Sequence, residues 1–164
     1  MAWDPPASGW TTGETVTAAE MNGIRNSLLF LEEVAYVEFT STVSITATSE
    51  GTANQVVTAS AIVYENVPHL ITFSSSRLVA PASQTLSLSV FDGTTSLGVI
   101  AALGATSPAQ QTPYERAFRV TPSAASHTFN IKAWVNGGTG SVEAGAGGPA
   151  TRVPGFIRIT RVPT

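Results

Sequence analysis

Few side chains in this chain could carry acid–base or metal chemistry. There are two histidines, His69 and His127, eleven carboxylates and no cysteine. Neither histidine stands at a metal-ligand spacing, so each is predicted to lie at a strand end or in a loop. Because cysteine is absent, thiolate nucleophiles, disulfides and cysteine-ligated zinc are excluded. We expect the protein to hold no metal and no cofactor.

Hydrolytic chemistry also lacks a framework in the sequence. No serine stands in the context of a nucleophile elbow. A glycosidase needs two opposed carboxylates, and the acids after residue 36 are too sparse to suggest a pair. Glu115 stands next to Arg116, with Arg119 beyond, and is interpreted as part of a cross-strand or surface ion pair. We therefore expect the protein not to be an enzyme.

Trp134 is the one aromatic side chain of the β region that suggests a ligand platform. It falls out of phase with the apolar positions of its segment, which are Phe129, Ile131, Ala133 and Val135. It is therefore predicted to lie on the opposite face of that strand. It could pack beneath a loop or in a subunit interface, or it could be exposed to a sugar ring or peptide.

The composition argues against nucleic-acid binding. Charged residues make up 12% of the chain, against roughly 25% in an average domain. Serine and threonine together supply 39 of the 164 residues, and Lys132 is the only lysine. A nucleic-acid site needs clustered cations, which are missing here. Hydroxyl-rich strands suit surfaces that pack against other subunits or are exposed to the surroundings.

The acidic residues are concentrated at the start of the chain. Residues 1–38 contain six acids and one base, whereas the remainder contains five acids and seven bases. The acidic segment could be a solvated helix face, or it could meet a basic partner surface.

The chain start has neither the basic residues nor the apolar core of a signal peptide. No apolar run approaches the roughly 18 residues of a membrane span, so we expect no insertion into a membrane. An exported protein of this kind would have to leave its cell by another route, such as lysis.

From Tyr36 onward the apolar residues recur with period two, which indicates strands. The Asp92-Gly93 turn between two alternating runs predicts a hairpin. About eight turn-separated strands without a second helix favour a mainly β domain over residues 36–164, as a jelly-roll-like antiparallel β-sandwich. The glycine-rich stretch Gly137 to Gly148 lacks the framing of a phosphate loop. It is interpreted as a short strand around Ser141 to Ala144 between turns.

Residues 1–35 are predicted to form an extended arm and one amphipathic helix. The arm carries Trp3 and Trp10, which should be buried either on the chain's own helix or on a partner. Thr17 followed by Glu20 is a capping box. Val16 and Met21 stand at the spacing of a hydrophobic staple. The helix is expected to run from Ala18 to Glu33 or Val34.

The helix has one apolar seam, whose spacing of 3, 4, 3 and 4 is that of a coiled coil. Its members are Met21, Ile24, Leu28, Leu31 and Ala35. Two heptads are too few to hold a coiled coil alone. The seam could form the stem of an oligomer assembled elsewhere, or it could dock on the protein's own sheet or on a neighbour's.

Residues 10–31 carry the most specific pattern in the chain. The segment reads W-T-T-G-E-T-V-T-A-A-E-M-N from Trp10 to Asn22, then I-R-N from Ile24 and L-L-F-L from Leu28. This order resembles the N-terminal segment of many tailed-bacteriophage virion proteins, small minor tail or fibre-like proteins frequent in phages of actinobacteria. The segment from Pro154 to Val162 is similar to the last strand of the β-sandwich heads that such proteins carry.

The resemblance implies a structural component of the virion, assembled in the host cytoplasm. The N-terminal segment would attach the protein to other virion proteins, and the β domain would project outward. The heads are similar in outline to tumour-necrosis-factor-like jelly rolls, which implies a homotrimer. A minor tail or short fibre subunit, a capsid decoration or head-fibre protein, and a receptor- or carbohydrate-binding module that recognises a host-surface glycan remain open. The expected attachment and oligomer residues are Trp3, Trp10, Val16, Thr17, Glu20, Met21, Ile24, Leu28 and Leu31.

Overall fold

The computed structural model describes Thr17, Met21, residues 33–106 and residues 109–162. Its strands are β1 (Glu33–Phe39), β2 (Val43–Ile45), β3 (Asn54–Thr58), β4 (Ile62–Val63), β5 (His69–Ala80), β6 (Thr85–Asp92), β7 (Thr95–Gly104), β8 (Gln110–Val120), β9 (Ser126–His127), β10 (Phe129–Val135), β11 (Gly140–Glu143) and β12 (Gly155–Arg161). A short 3-10 helix, η1 (Glu50–Thr52), separates β2 from β3. Within these residues no helix has the length and apolarity needed to cross a membrane.

The strands form two main antiparallel sheets. The six-stranded sheet follows the order β1-β12-β5-β11-β2, with β8 on the other side of β5. The four-stranded sheet has the order β3-β10-β6-β7, and β4 and β9 pair separately. The prediction of a mainly β, antiparallel sandwich is confirmed. The predicted hairpin is formed by β6 and β7, in which Asp92 pairs with Thr95.

The long strand β5 organises the larger sheet because it changes neighbours halfway along. Its first half pairs with β12 from His69 to Ser74, and its second half pairs with β11 from Arg77 to Val79. The register with β8 shifts between Ser75 and Leu78, which marks a β-bulge. A bulge bends a strand and resets which residues face inward. Here it keeps the apolar side chains of both halves directed at the core.

The core lies between the facing sides of the two sheets. Alternate residues point inward from each strand, as the period of two predicted. The largest fully buried side chains are Phe73, Phe129, Ile45, Ile71, Leu78, Leu86, Leu88, Ile131, Ile157, Ile159, Val90 and Val135. Each such side chain contributes about 1.5–3 kcal/mol through removal from water. This burial, rather than charge pairing, is the main source of stability.

The observed strands test two predictions from the sequence: a strand within the glycine-rich stretch and the residue at which the N-terminal helix ends. The glycine-rich stretch does contain a strand, β11, which ends at Glu143. The predicted helix end is wrong, because Glu33, Val34 and Ala35 already lie in β1. Ala35 pairs with Ile159 and is part of the sheet rather than of the helical seam. Pairing with β12 satisfies the backbone groups and packs Val34 and Ala35 against the core, which outweighs helix propensity.

Candidate functional site

One end of the sandwich is the place where the N-terminal segment joins the domain. β1 is an edge strand, and its first residue, Glu33, pairs with Thr160 near the end of β12. His69 pairs with Val120 at the same level of the sheet. We call this end, with the loops of residues 59–68 and 121–128, the entry end. Since β5 spans about 40 Å at 3.3 Å per residue, the opposite end lies far from Glu33, where β1 begins.

An aromatic and histidine cluster fills the interior of the entry end. The ring of Tyr64 packs edge-on against His69, His127 and Phe129, with centroid distances of 5.0, 5.9 and 5.2 Å. Tyr64 is 3% exposed, and its hydroxyl has no hydrogen-bond partner among the described residues. Burial, together with the charge of Asp92, raises the pKa of Tyr64 to about 12. The phenol therefore stays neutral.

Three residues of the entry end form a hydrogen-bonded series that sequence analysis missed. The Nδ1 atom of His127 lies 2.5 Å from an oxygen of Asp92. Its Nε2 atom lies 3.1 Å from the hydroxyl of Ser123. Asp92 ends β6 and His127 ends β9, so the fold brings together residues 35 positions apart. Because this proximity depends on how β10 pairs with β6, no local pattern in the sequence could have revealed it.

The order Ser–His–Asp is that of a hydrolytic triad, but the surrounding groups favour a structural role. A triad needs backbone N–H donors aimed at a developing oxyanion. Here the N–H of Ala125 is donated to the carbonyl of Ser123, and that of Thr128 to Asp92. The Nε2 atom of His127 also lies 3.2 Å from the carbonyl oxygen of Ser123. The series therefore fastens the loop before β9 to the end of β6.

A charged network stabilises the middle of the larger sheet. The carboxylate of Glu143 lies 2.5 Å from Arg77 and 2.8 Å from Arg152, and it accepts the hydroxyl of Ser141 at 3.0 Å. Burial alone would raise the pKa of Glu143. The hydrogen bonds from Arg77 and Ser141 and the charges of both arginines outweigh burial, so the pKa is lowered. The network fixes the glycine-rich loop between β11 and β12 to the bulge of β5.

Acid should destabilise the protein in two steps. Burial, with the charge of Arg161, lowers the pKa of His69 below its usual 6.5. The unfolded chain therefore takes up that proton first, and the stability present above pH 6.5 is lost as pH falls through the folded-state pKa. The pKa of Glu143 is lowered from 4.5, so its contribution is present above pH 4.5 and is lost below it.

Urea unfolding at a series of pH values measures both steps. We expect the free energy of unfolding to fall as the pH drops below 6.5, because of His69, and to fall again as it drops below 4.5, because of Glu143. A His69→Gln variant should flatten the first step and leave the second in place. A wild-type free energy that does not change between neutral pH and the carboxylate range would contradict the assignment to His69.

Trp134 lies on the outer face of the four-stranded sheet, opposite to the apolar residues of β10, as the alternation in the sequence predicted. It is half-buried. On the same face Lys132 places its ammonium 4.5 Å from the centre of the Phe91 ring. Glu50 of η1 accepts the hydroxyls of Ser89 and Ser96 at 2.8 and 2.6 Å. Much of this face is therefore occupied by the chain's own contacts. A ligand platform at Trp134 stays a prediction.

Most of the predicted attachment residues lie outside the described residues. These are Trp3, Trp10, Val16, Glu20, Ile24, Leu28 and Leu31. Met21 is helical, and its backbone N–H donates to the carbonyl of Thr17 at 3.0 Å. The side chain of Met21 is 56% exposed in the single chain. Whether the segment attaches the protein to a particle stays a prediction.

The predicted ion pair of Glu115 is wrong. Within the described part of the chain, Glu115 forms no ion pair with Arg116 or Arg119. Adjacent residues of a strand point to opposite faces, so Glu115 and Arg116 diverge. The predicted placement of both histidines at strand ends is confirmed, since His69 begins β5 and His127 ends β9. No group of three or more potential metal ligands occurs among the described residues.

Comparisons with known proteins assign no family to the chain. No protein-family model matches the chain, and the search of curated proteins found no significant match. The chain is similar to the C-terminal domain of EclA, described as a sugar-binding protein, with a TM-score of 0.34 and 11% identity over 76% of this chain and 78% of that one.

Two chains from structures of infectious bursal disease virus are also similar. The Gt-strain chain gives a TM-score of 0.42 and the Gx-strain chain 0.36, each at 14% identity. The alignments cover 99% and 79% of this chain, but only 44% and 36% of the viral chains. This chain thus spans less than half the length of those proteins.

Proposed function

We propose that the protein is a structural component of a phage virion, attached through residues 1–32 with its β-sandwich directed outward. The observation that supports this most is the position of the attachment-like segment, residues 10–31. It immediately precedes the edge strand β1, which starts at the entry end. A segment that joins the domain at one end can bind the particle while the rest of the sandwich projects.

The surface chemistry of the domain supports a structural part rather than an enzyme. Charged residues are scarce and hydroxyls abundant, and two backbone donors near the Ser123–His127–Asp92 series, those of Ala125 and Thr128, are already engaged. We propose a minor tail or short fibre subunit first and a capsid decoration or head-fibre protein second. Assembly would take place in the host cytoplasm with other virion proteins as partners.

We further propose a homotrimer in which three copies of the helical seam meet at one axis. Light scattering of the purified full chain should give three times the 17.0 kDa mass of one chain. Leu28→Asp should lower the oligomeric mass, because an unpaired carboxylate is costly to bury.

Asn26→Asp adds the same charge two residues earlier, off the predicted seam, and should leave the mass unchanged. A monomer in the wild type, or equal effects of the two variants, would contradict the trimer.

Recognition of a glycan on the host surface is the second candidate function. The observation that favours it is a serine-rich cleft on the outer face of the six-stranded sheet, together with an exposed aromatic ring, Tyr36, on the same face. The two functions are compatible, because a protein attached at its entry end can present that face to the surroundings.

A further inference from the structure

A row of four side chains crosses the outer face of the six-stranded sheet. Glu115 of β8 pairs with Ser74 of β5, Ser74 pairs with Phe156 of β12, and Phe156 pairs with Glu38 of β1. Paired residues in antiparallel strands point to the same face. Ser74 lies between the buried residues Phe73 and Ser75, so the row faces outward. We call it the outer row.

An exposed aromatic ring stands beside one end of the outer row. Tyr36 is 44% exposed, and its ring lies 5.4 Å from that of Phe156. Its hydroxyl donates to Glu38 at 2.7 Å. Large aromatic side chains are costly to expose, and this one is held in a fixed orientation by both contacts. It can serve as a pre-formed stacking surface.

A cleft of about 410 Å³ opens at the other end of the outer row. Its floor is the bulge of β5 from Ser74 to Ser76, and its walls are Pro113 to Glu115 and Val153. The volume falls within the range of about 300–1,000 Å³ typical of small-ligand sites. Val153 is 63% exposed and gives the cleft an apolar wall.

The cleft presents mainly hydrogen-bond acceptors. The hydroxyls of Ser75 and Ser76 both lie in donating geometry to the carbonyl oxygen of Glu143, at 2.9 and 2.6 Å. The carboxylate of Glu115 forms no hydrogen bond or ion pair with any other described residue. A ligand that fits must therefore bring several donors of its own.

The walls of the cleft are held in place from behind. Tyr114 donates its hydroxyl to the carbonyl of Ile100, which ties β8 to β7. Arg152, adjacent to Val153, is paired with Glu143, and Arg77 binds the same carboxylate. A site whose supporting side chains are already fixed loses less entropy when it binds a ligand.

The charges around the outer row disfavour an anionic ligand. The carboxylates of Glu115 and Glu38 stand at its two ends and repel anions. The guanidinium of Arg158, 5.8 Å from the centre of the Phe156 ring, offsets one of the two negative charges and so weakens the attraction of a cation. A saccharide combines neutral charge, many hydroxyl donors and an apolar C–H face that stacks on aromatic rings.

We propose that the outer row and its cleft bind a neutral saccharide, with Glu115 and Ser74 accepting or exchanging hydrogen bonds and Tyr36 stacking on a sugar ring. From Glu115 to Phe156 the row spans two inter-strand spacings, about 10 Å, which is enough to contact more than one sugar residue. The proposal rests on the second candidate function and assigns it to this sheet rather than to Trp134.

The test is a glycan array probed with the purified full chain. The array carries neutral oligosaccharides ending in glucose, galactose, mannose or N-acetylhexosamine, together with sialylated and uronate-containing ones. We expect binding to neutral members and exclusion of anionic ones. The best neutral oligosaccharide is then titrated by calorimetry against the variants.

Glu115→Ala and Tyr36→Ala should each weaken binding of that oligosaccharide at least about tenfold. Two matched controls should bind as the wild type does: Glu33→Gln, which changes an exposed carboxylate on β1, and Trp134→Ala, which removes the aromatic ring of the opposite sheet. Unchanged urea midpoints in Glu115→Ala and Tyr36→Ala assign any loss to the site.

The proposal is overturned if no neutral oligosaccharide binds, if only anionic glycans or a lysine-rich peptide bind, or if Trp134→Ala abolishes binding while Glu115→Ala does not. Its failure is distinct from that of virion attachment. Saccharide binding is measured on the purified protein, whereas attachment is measured on particles. A protein that joins particles but binds no saccharide would overturn this proposal alone.

Discussion

Phe73→Ala should lower the free energy of unfolding by about 3–5 kcal/mol, the range for large-to-small substitutions of buried aromatic residues. Phe73 is 1% exposed, stacks on Phe39 at 6.1 Å and packs against Tyr114 at 6.2 Å. Removing its ring leaves a cavity in the core between the two sheets, next to the bulge of β5. Since domains have only about 5–15 kcal/mol of stability, this loss would bring the domain close to unfolding.

Phe156→Ala is the matched control for that substitution. It removes the same side chain from the same sheet, but on the outer face, where Phe156 is half-buried beside Tyr36. We expect a loss of about 1–2 kcal/mol, in proportion to the smaller buried area. Urea unfolding followed by tyrosine and tryptophan fluorescence measures both. Equal losses in the two variants would contradict the placement of the core between the sheets.

The sequence was sufficient to predict those parts of the fold whose signals are local. Strict alternation predicted the strands that became β6, β10 and β12, and the Asp92-Gly93 turn predicted β7, the hairpin partner of β6. The glycine-rich stretch was correctly separated from phosphate loops, because neither a lysine nor a helix follows it. The sheet face that Trp134 occupies also followed from the sequence, because Trp134 lies out of phase with the alternating apolar residues of its strand.

Features that depend on strand register could not be predicted. The contact of Glu143 with Arg77 and the series of Ser123, His127 and Asp92 each join strands distant in sequence. The helix end was placed too late because Val34 and Ala35 fit a helical seam as well as a strand. Pairing of β1 with β12, a contact across more than 120 residues, decided between the two. The outer row requires the order of four strands, which no local pattern contains.

Removing residues 2–32 should leave the sandwich folded and abolish its incorporation into particles. The deletion ends just before Glu33, so β1 and its pairing with β12 are kept. Of the described residues the deletion removes Thr17 and Met21, and neither belongs to the buried core. If the acidic segment supplies the contact with the particle, the truncated protein should be at least about tenfold less abundant on particles, the consequence of losing about 1.4 kcal/mol or more of binding free energy.

A second variant keeps this prediction testable if the truncated chain folds poorly. Residues 1–32 fused to an unrelated fluorescent protein should join particles, whereas the same fusion carrying Leu28→Asp should join them less. Incorporation of the truncated chain without the segment, or failure of the fusion to join, would each argue that the sandwich itself makes the contact.

The central claim is that residues 1–32 attach the protein to a virion. Its most direct measurement is the copy number per particle, by quantitative mass spectrometry of gradient-purified phage that carry either the full-length or the truncated gene. We predict that the full-length protein is present in multiple copies, and that the truncated protein is missing from particles although it accumulates folded in the lysate. Equal copy numbers of the two proteins would contradict the claim.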